Sequence, residues 1–231
     1  MANNFFNAIK RNISADSTLP TALYTVPSEK KAILIELDVA NTSSAGQTVT
    51  VQIEDESQNT SSGNAHSASA IAVNTTGLIT TTSAAAHLLV INDRVRFTCA
   101  SGGEPSFTNA SLPPSGDTEL SSAASSPTAA RNRIYYVQSI PSASTFTIAE
   151  SASAASPLTF DTNGNSVIWE TIYLADIVRD APVPVGGALK VIAGQKLVIE
   201  SLAANVQDKL YLYVSAANTC DAIGSVLQEV S

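Results

Sequence analysis

His87, with Asp93 close behind it in a chain rich in serine, is the set of side chains here that could do acid–base or nucleophilic chemistry. A serine hydrolase needs its nucleophile on a sharp strand-to-helix turn beside an imidazole that a carboxylate orients. No G-x-S-x-G elbow occurs in this sequence. Where serine is this common, a Ser/His/Asp set arises by chance, and His87 is better read as a hydrogen-bonded residue lining a turn. His66 sits in a polar loop and has no better case. The sequence shows no cleft of convergent titratable groups, so no enzyme and no catalytic residue are expected.

Metal and cofactor chemistry fare no better. Glu54-Asp55-Glu56 is an acidic run that could hold Ca²⁺. It lacks the alternating oxygen donors of a calcium loop, and a solvated strand end is the better account. Asp161-Thr162-Asn163-Gly164-Asn165 looks calcium-like, but its Asn-Gly step is explained more simply by a hairpin turn that needs positive φ. Cys99 and Cys220 lie far apart with no C-x-x-C spacing, and only His66 and His87 could join them, so zinc is not expected. A disulfide between them is open, with two isolated thiols as the default. No phosphate-cradling glycine loop is present. No cofactor is expected. Trp169, Tyr173, Tyr211 and Tyr213 could form a stacking platform for sugar, against the plainer reading as core and sheet-face aromatics.

Charge narrows the partners. The 231 residues carry a formal net charge of −8, and 14% are charged, well below the usual quarter of a soluble domain. Phosphate contacts need a basic face, so direct nucleic-acid binding is not expected. Lys10-Arg11 and Lys30-Lys31 read as solvated pairs at element ends. Hydrophobic residues make up 44% of the chain, enough for a core. A charge-poor surface suits a protein largely covered by neighbours. The first segment has Phe5, Phe6, Ala8 and Ile9 but no long apolar stretch, so it does not read as a signal peptide. No run approaches the roughly 20 apolar residues of a membrane helix, and no membrane partner is expected.

The elements that must position these residues are strands. Phe5 to Asn12 is a short helix or an extended arm. Lys31 to Asn41 places Ile33, Ile35, Leu37 and Val39 on one parity, the alternation of a strand with one buried face. Ser43 to Gly46 turns the chain, and Val49, Val51 and Ile53 alternate next, so the two runs read as an antiparallel hairpin. Short strand signals follow at Ala72-Val73, Leu78–Thr80, Asp93–Cys99, Ile134–Ile140 and Thr145–Ala149, separated by Ser/Ala-rich stretches. Val167 to Val178 reads as a longer strand that can start a helical turn at Tyr173, broken by Pro182 and Pro184. Leu189–Ile192 and Lys196–Ser201 are split by Ala193-Gly194-Gln195, and Leu210, Leu212 and Val214 alternate with Tyr211 and Tyr213. Many short strands without a sustained amphipathic helix predict an all-β, antiparallel β-sandwich of jelly-roll or Ig-like type with an inserted small β-barrel-like domain. The expected division is an N-terminal arm at 1–17, a discontinuous sandwich at 18–60 and 167–231, and an insert at 61–166.

A resemblance follows from particular segments. Leu23-Tyr24-Thr25-Val26-Pro27, Lys31-Ala32-Ile33-Leu34-Ile35 and Val39-Ala40-Asn41-Thr42-Ser43 resemble a family of tailed-bacteriophage virion structural proteins. So do Ala181 to Gly187, Gly194 to Glu200, and Ser225 to Glu229, where Gln228 interrupts the usual ending. In the middle, Thr80 to Thr98 with Arg133 to Val137 and Ser144 to Ala149 resembles a small β module of phage tail and virion proteins, with Leu88 and Asn92 where that module has glycines. The resemblance implies virion assembly in the host cytoplasm, as an accessory head, neck, collar, capsid-decoration or tail subunit. The implied partners are other virion proteins (capsid, portal/neck or tail subunits) and further copies of the chain. A host-surface glycan-binding or adhesin module of the tail is the alternative.

Overall fold

The computed structural model describes residues 2–59, 71–73, 77–81, 87–99, 106–107, 134–162, 167–203 and 206–230. The chain divides into an outer unit, Met1–Gln58 with Tyr173–Ser231, and an inner unit, Asn59–Ile172. Among the described residues the one helical element is a single 3-10 turn, Glu56–Gln58; all others are strands.

The outer unit is built from β1 (Ala2–Lys10), β2 (Thr21–Thr25), β3 (Lys31–Asn41) and β4 (Gln47–Glu54) before the insert. After it come β13 (Leu174–Val183), β14 (Ala188–Ala203), the short β15 (Val206–Gln207), β16 (Lys209–Val214) and β17 (Cys220–Val230). One sheet has the order β1-β17-β3-β14-β15 and the other β13-β4-β16-β2. The pairing is nested. β1 pairs β17, β2 pairs β16, β3 pairs β14 and β4 pairs β13, all antiparallel. A ribbon of four strands out and four back, folded over so that its segments alternate between two sheets, is the jelly roll. This order rules out the Ig-like alternative.

The two inner faces share one core. Leu34, Leu37 and Val39 of β3, Val49 and Val51 of β4, Leu210 and Leu212 of β16, and Val226 of β17 are all fully buried. Each such side chain contributes about 1.5–3 kcal/mol by leaving water. The β4 and β16 alternation follows the sequence pattern directly.

Several expectations change. The residues of the expected arm do not hang free: β1 lies along β17 from Ala2↔Val230 to Lys10↔Ala222, and Ile13 is fully buried in the core. β3 and β4 are not a hairpin but lie in opposite sheets. The crossing is held by Asn41, whose Nδ2 donates to the carbonyls of Ala45 (2.7 Å) and Val183 (3.1 Å). The parity of β3 switches midway. Ser225 pairs with Glu36 and Val226 with Leu34, so Ile35 is an extra, bulged residue. Leu34 therefore points inward, whereas Ile33, across from Leu227 and Val198, points outward. Ala193-Gly194-Gln195 does not split two strands. It is a bulge inside β14 between the pairs Ala193↔Glu36 and Leu197↔Leu34, with Gly194 at φ 74°. Tyr173 onward is extended rather than helical, and Pro182 sits within β13 because that strand is an edge, where no partner needs its missing N–H.

The inner unit contains β5 (Ile71–Val73), β6 (Ile79–Thr81), β7 (Arg94–Cys99), β8 (Ser106–Phe107), β9 (Ile134–Ser142), β10 (Thr145–Ala149), β11 (Phe160–Thr162) and β12 (Val167–Thr171). Six strands close a barrel in the order β10-β6-β5-β12-β7-β9, and β8 pairs β11 separately. Val167–Thr171 thus belongs to the insert and not to the sandwich. It pairs with β7 from Val167↔Cys99 to Thr171↔Val95, a register fixed by Arg96 facing Glu170 with a 2.5 Å ion pair. Ile79, Val95, Val137, Phe146 and Ile148 fill the barrel, each fully buried.

Candidate assembly surfaces

The outward face of the first sheet carries an apolar row that the registers define. Phe5 of β1 lies opposite Leu227 of β17, Leu227 opposite Ile33 of β3, and Ile33 opposite Val198 of β14. Directly opposed residues of antiparallel strands share a face and touch. Phe5 is 61% and Val198 60% exposed. Ile9 and Ile223, also opposed, extend the patch. Charged pairs frame it: Lys31 Nζ lies 3.0 Å from Glu200, and Lys190 pairs with Glu36. In both pairs the hydrogen bond to the carboxylate pushes the lysine up from its ordinary value. A four-strand stripe of aliphatic and aromatic side chains between ion pairs, exposed at Phe5 and Val198 and half-buried at Leu227 and Ile33, can bury against another chain. It offers no proton donor or nucleophile. The sequence signal for it existed, in the apolar residues on both parities of β3, but only the bulge at Ile35 explains them.

The acidic run is neither a solvated strand end nor a calcium loop. Glu54 is fully buried, with Lys209 Nζ 3.7 Å from it and 2.8 Å from Glu56. Asp55 Oδ1 accepts from the Ser57 N–H at 3.1 Å and so closes the 3-10 turn. Asp208 accepts the N–H groups of Glu56 (3.2 Å) and Glu200 (3.0 Å). Burial pushes the Asp208 carboxyl up, against those two donors. Lys209 stands opposite Glu54 in the ladder, which sequence spacing could not reveal. Among the described residues no three His, Cys, Asp or Glu gather as a metal site.

His87 is a structural hub of the barrel. Leu89 N–H donates to its Nδ1 at 3.1 Å, which puts the ring proton on Nε2, facing the carbonyls of Ser142 (3.1 Å) and Thr145 (3.3 Å). The ring stands edge-on to Phe146 with centroids 5.4 Å apart. Asp93 does not serve His87 in these contacts. Its Oδ2 accepts the Val90 N–H at 2.8 Å and caps the turn. The turn presents Leu88, Val90 and Ile91 to solvent. Leu88 and Asn92 have φ of 55° and 74°, the left-handed region that glycine enters most freely.

The remaining candidates scatter. Tyr211 is 7% exposed, Tyr213 half-buried and Tyr173 exposed, so Tyr211 has no open ring face for a sugar. The side chain of Trp169, His66 and Asn163–Asn165 lie outside the described residues. Cys220 is buried as a free thiol, and burial pushes it up. Lys10 and Arg11 are exposed at the end of β1, Lys30 is half-buried, and the side chain of Cys99 is outside the described set. Comparison of the chain with family models, with curated proteins and with solved structures finds no match.

Proposed function

We propose that the chain is a non-enzymatic structural component of a tailed-phage virion. It assembles on the particle through protein–protein contacts, at the head–tail neck or collar or as a capsid decoration. The observation that carries this reading is the apolar row Phe5–Leu227–Ile33–Val198 on the outward face of a jelly-roll sheet. Exposed apolar patches framed by polar residues mark interaction surfaces. The low charge content and the virion-like segments of the outer unit point the same way. Jelly rolls serve capsid proteins and lectins alike, so the fold alone does not choose between assembly and sugar binding. The burial of Tyr211 weighs against the adhesin alternative.

Mass spectrometry and a density map of purified particles test the proposal. Stoichiometric incorporation at a symmetry-related site is expected, with no measurable affinity for host-surface glycan. A chain absent from purified virions, or one that binds glycan as an isolated monomer, would overturn it.

A further inference from the structure

A sandwich has four strand edges, and each is a row of backbone donors and acceptors open to another strand unless something guards it. Three edges here are guarded. The edge opposite β1 is formed by β14, with the two-residue β15 paired to its C-terminal end, and has the Gly194 bulge with Lys190 and Lys196 exposed around it. β13 has two register shifts, Pro182, and Asp180 at φ 49°. β2 is 5 residues long and lies between Pro20 and Pro27. β1 is different. It runs 9 residues with no proline or glycine, pairs β17 without a register shift, and carries one charge, Lys10, at its end. Its outer side chains Phe5 and Ile9 are 61% and 56% exposed.

We infer that β1 is the strand through which two copies of this chain pair, antiparallel about a two-fold axis at Asn7. This rests on the assembly reading above and names its partner. The segment is complementary to itself in that register. Phe5 meets Ile9 of the second copy, on the outward face, and Ile9 meets its Phe5. On the inward face Phe6 meets Ala8, a large side chain against a small one. Asn4 meets Lys10, so no like charges are opposed. A two-fold axis perpendicular to the sheet keeps the outward faces together, so the two apolar rows, offset by four residues, meet through the Phe5–Ile9 contacts on one continuous outward face. The backbone bonds supply pairing and the Phe5–Ile9 contacts select the register.

The test uses the full chain. Light scattering and sedimentation up to about 100 μM should show a dimer. Asn7→Asp places two carboxylates together on the axis and should weaken dimerisation at least about tenfold at neutral pH. It keeps the oxygen that accepts from Ser225 Oγ at 3.3 Å, so circular dichroism should match the parent. Asn7→Cys should form a disulfide-linked dimer on mild oxidation, because opposed Cα atoms lie about 4.5–5.5 Å apart. Asn4→Cys should not, and the parent chain with its own two cysteines sets the background. A monomer throughout the range, or an oligomer indifferent to Asn7→Asp and not cross-linked at 7, would overturn the inference. Incorporation into particles is scored separately. A monomeric chain found in virions sinks this inference alone, and a dimer absent from them sinks the assembly reading alone.

Discussion

The outer and inner units are both built from antiparallel sheets, open in the first and closed in the second, but they secure register differently. In the outer unit β3 and β14 run 11 and 16 residues, and the nested ladders hold each strand at many points. A bulge at Ile35 or Gly194 is absorbed because pairing resumes on either side. In the inner unit β5 and β6 run 3 residues each, too few to fix a register by ladder alone. There, side-chain-to-backbone bonds from His87 and Asp93, the Arg96–Glu170 pair and residues of positive φ set the geometry. The position of the insert follows from the same logic. It lies in the connection of the innermost pair, β4 with β13, where closure entropy rises only logarithmically with loop length and no other ladder is interrupted.

The sharpest way to break this comparison is one core truncation in each unit. Phe146→Ala in the barrel should remove about 3–5 kcal/mol and Leu37→Ala in the sandwich about 2–5 kcal/mol. Calorimetry should show each substitution lowering a different transition. A single transition that responds equally to both would mean the two units fold as one.

Glycine replacement comes next. A Cβ on Gly77 would lie 2.1 Å from the backbone oxygen of Leu158, at φ 80°. A Cβ on Gly186, in the outer β13–β14 turn, would meet nothing within 4 Å at φ 63°. Both alanine variants incur the left-handed penalty, but only Gly77→Ala forces the barrel backbone apart. It should be at least about 2 kcal/mol less stable than Gly186→Ala by chemical denaturation. His87→Ala follows. It leaves the Leu89 N–H and the Ser142 carbonyl without the ring, at a cost of about 2–3 kcal/mol confined to the inner transition.

The outer unit has its own sensitive point in Tyr24, whose hydroxyl donates to Gln228 at 2.9 Å and whose ring packs on Phe6. Burial pushes its pKa up to about 12. The folded chain therefore holds this proton after the unfolded chain has lost it. Stability from Tyr24 is full below pH 10 and falls as pH rises toward 12. Ultraviolet titration should show a late-ionising tyrosine that Tyr24→Phe removes.

What the sequence revealed divides along the same line. Alternation in Val49–Val51–Ile53 and Leu210–Leu212–Val214 announced inward faces correctly, because those strands are regular where they pair with each other. Lys31–Asn41 misled, since one extra residue reverses parity and the bulge is a property of three strands together. Val167–Thr171 could not be assigned from its own residues. Its place in the barrel depends on Glu170 finding Arg96. The acidic run Glu54–Glu56 read as surface because its counter-charge, Lys209, arrives only with the register of β16.

The smallest predicted effects test whether the inner unit depends on backbone conformation as proposed. Leu88 and Asn92 occupy left-handed positions without being glycine. Leucine there costs about 1–2 kcal/mol, of which glycine's extra freedom in the unfolded chain offsets about 0.5–1 kcal/mol. Leu88 is 62% exposed, so its removal gives up little packing. Leu88→Gly should therefore stabilise the inner transition by about 0.5–1 kcal/mol. Asparagine tolerates the left-handed region, so Asn92→Gly should change it by no more than a few tenths of a kcal/mol. Denaturant midpoints measured for both variants decide the matter. The predicted order, with Leu88→Gly above Asn92→Gly, places the strain at the leucine, whose side chain tolerates the left-handed region less well than asparagine's. Equal effects would mean that the capped turn, through Asp93 and His87, imposes the same conformation on both residues at no cost.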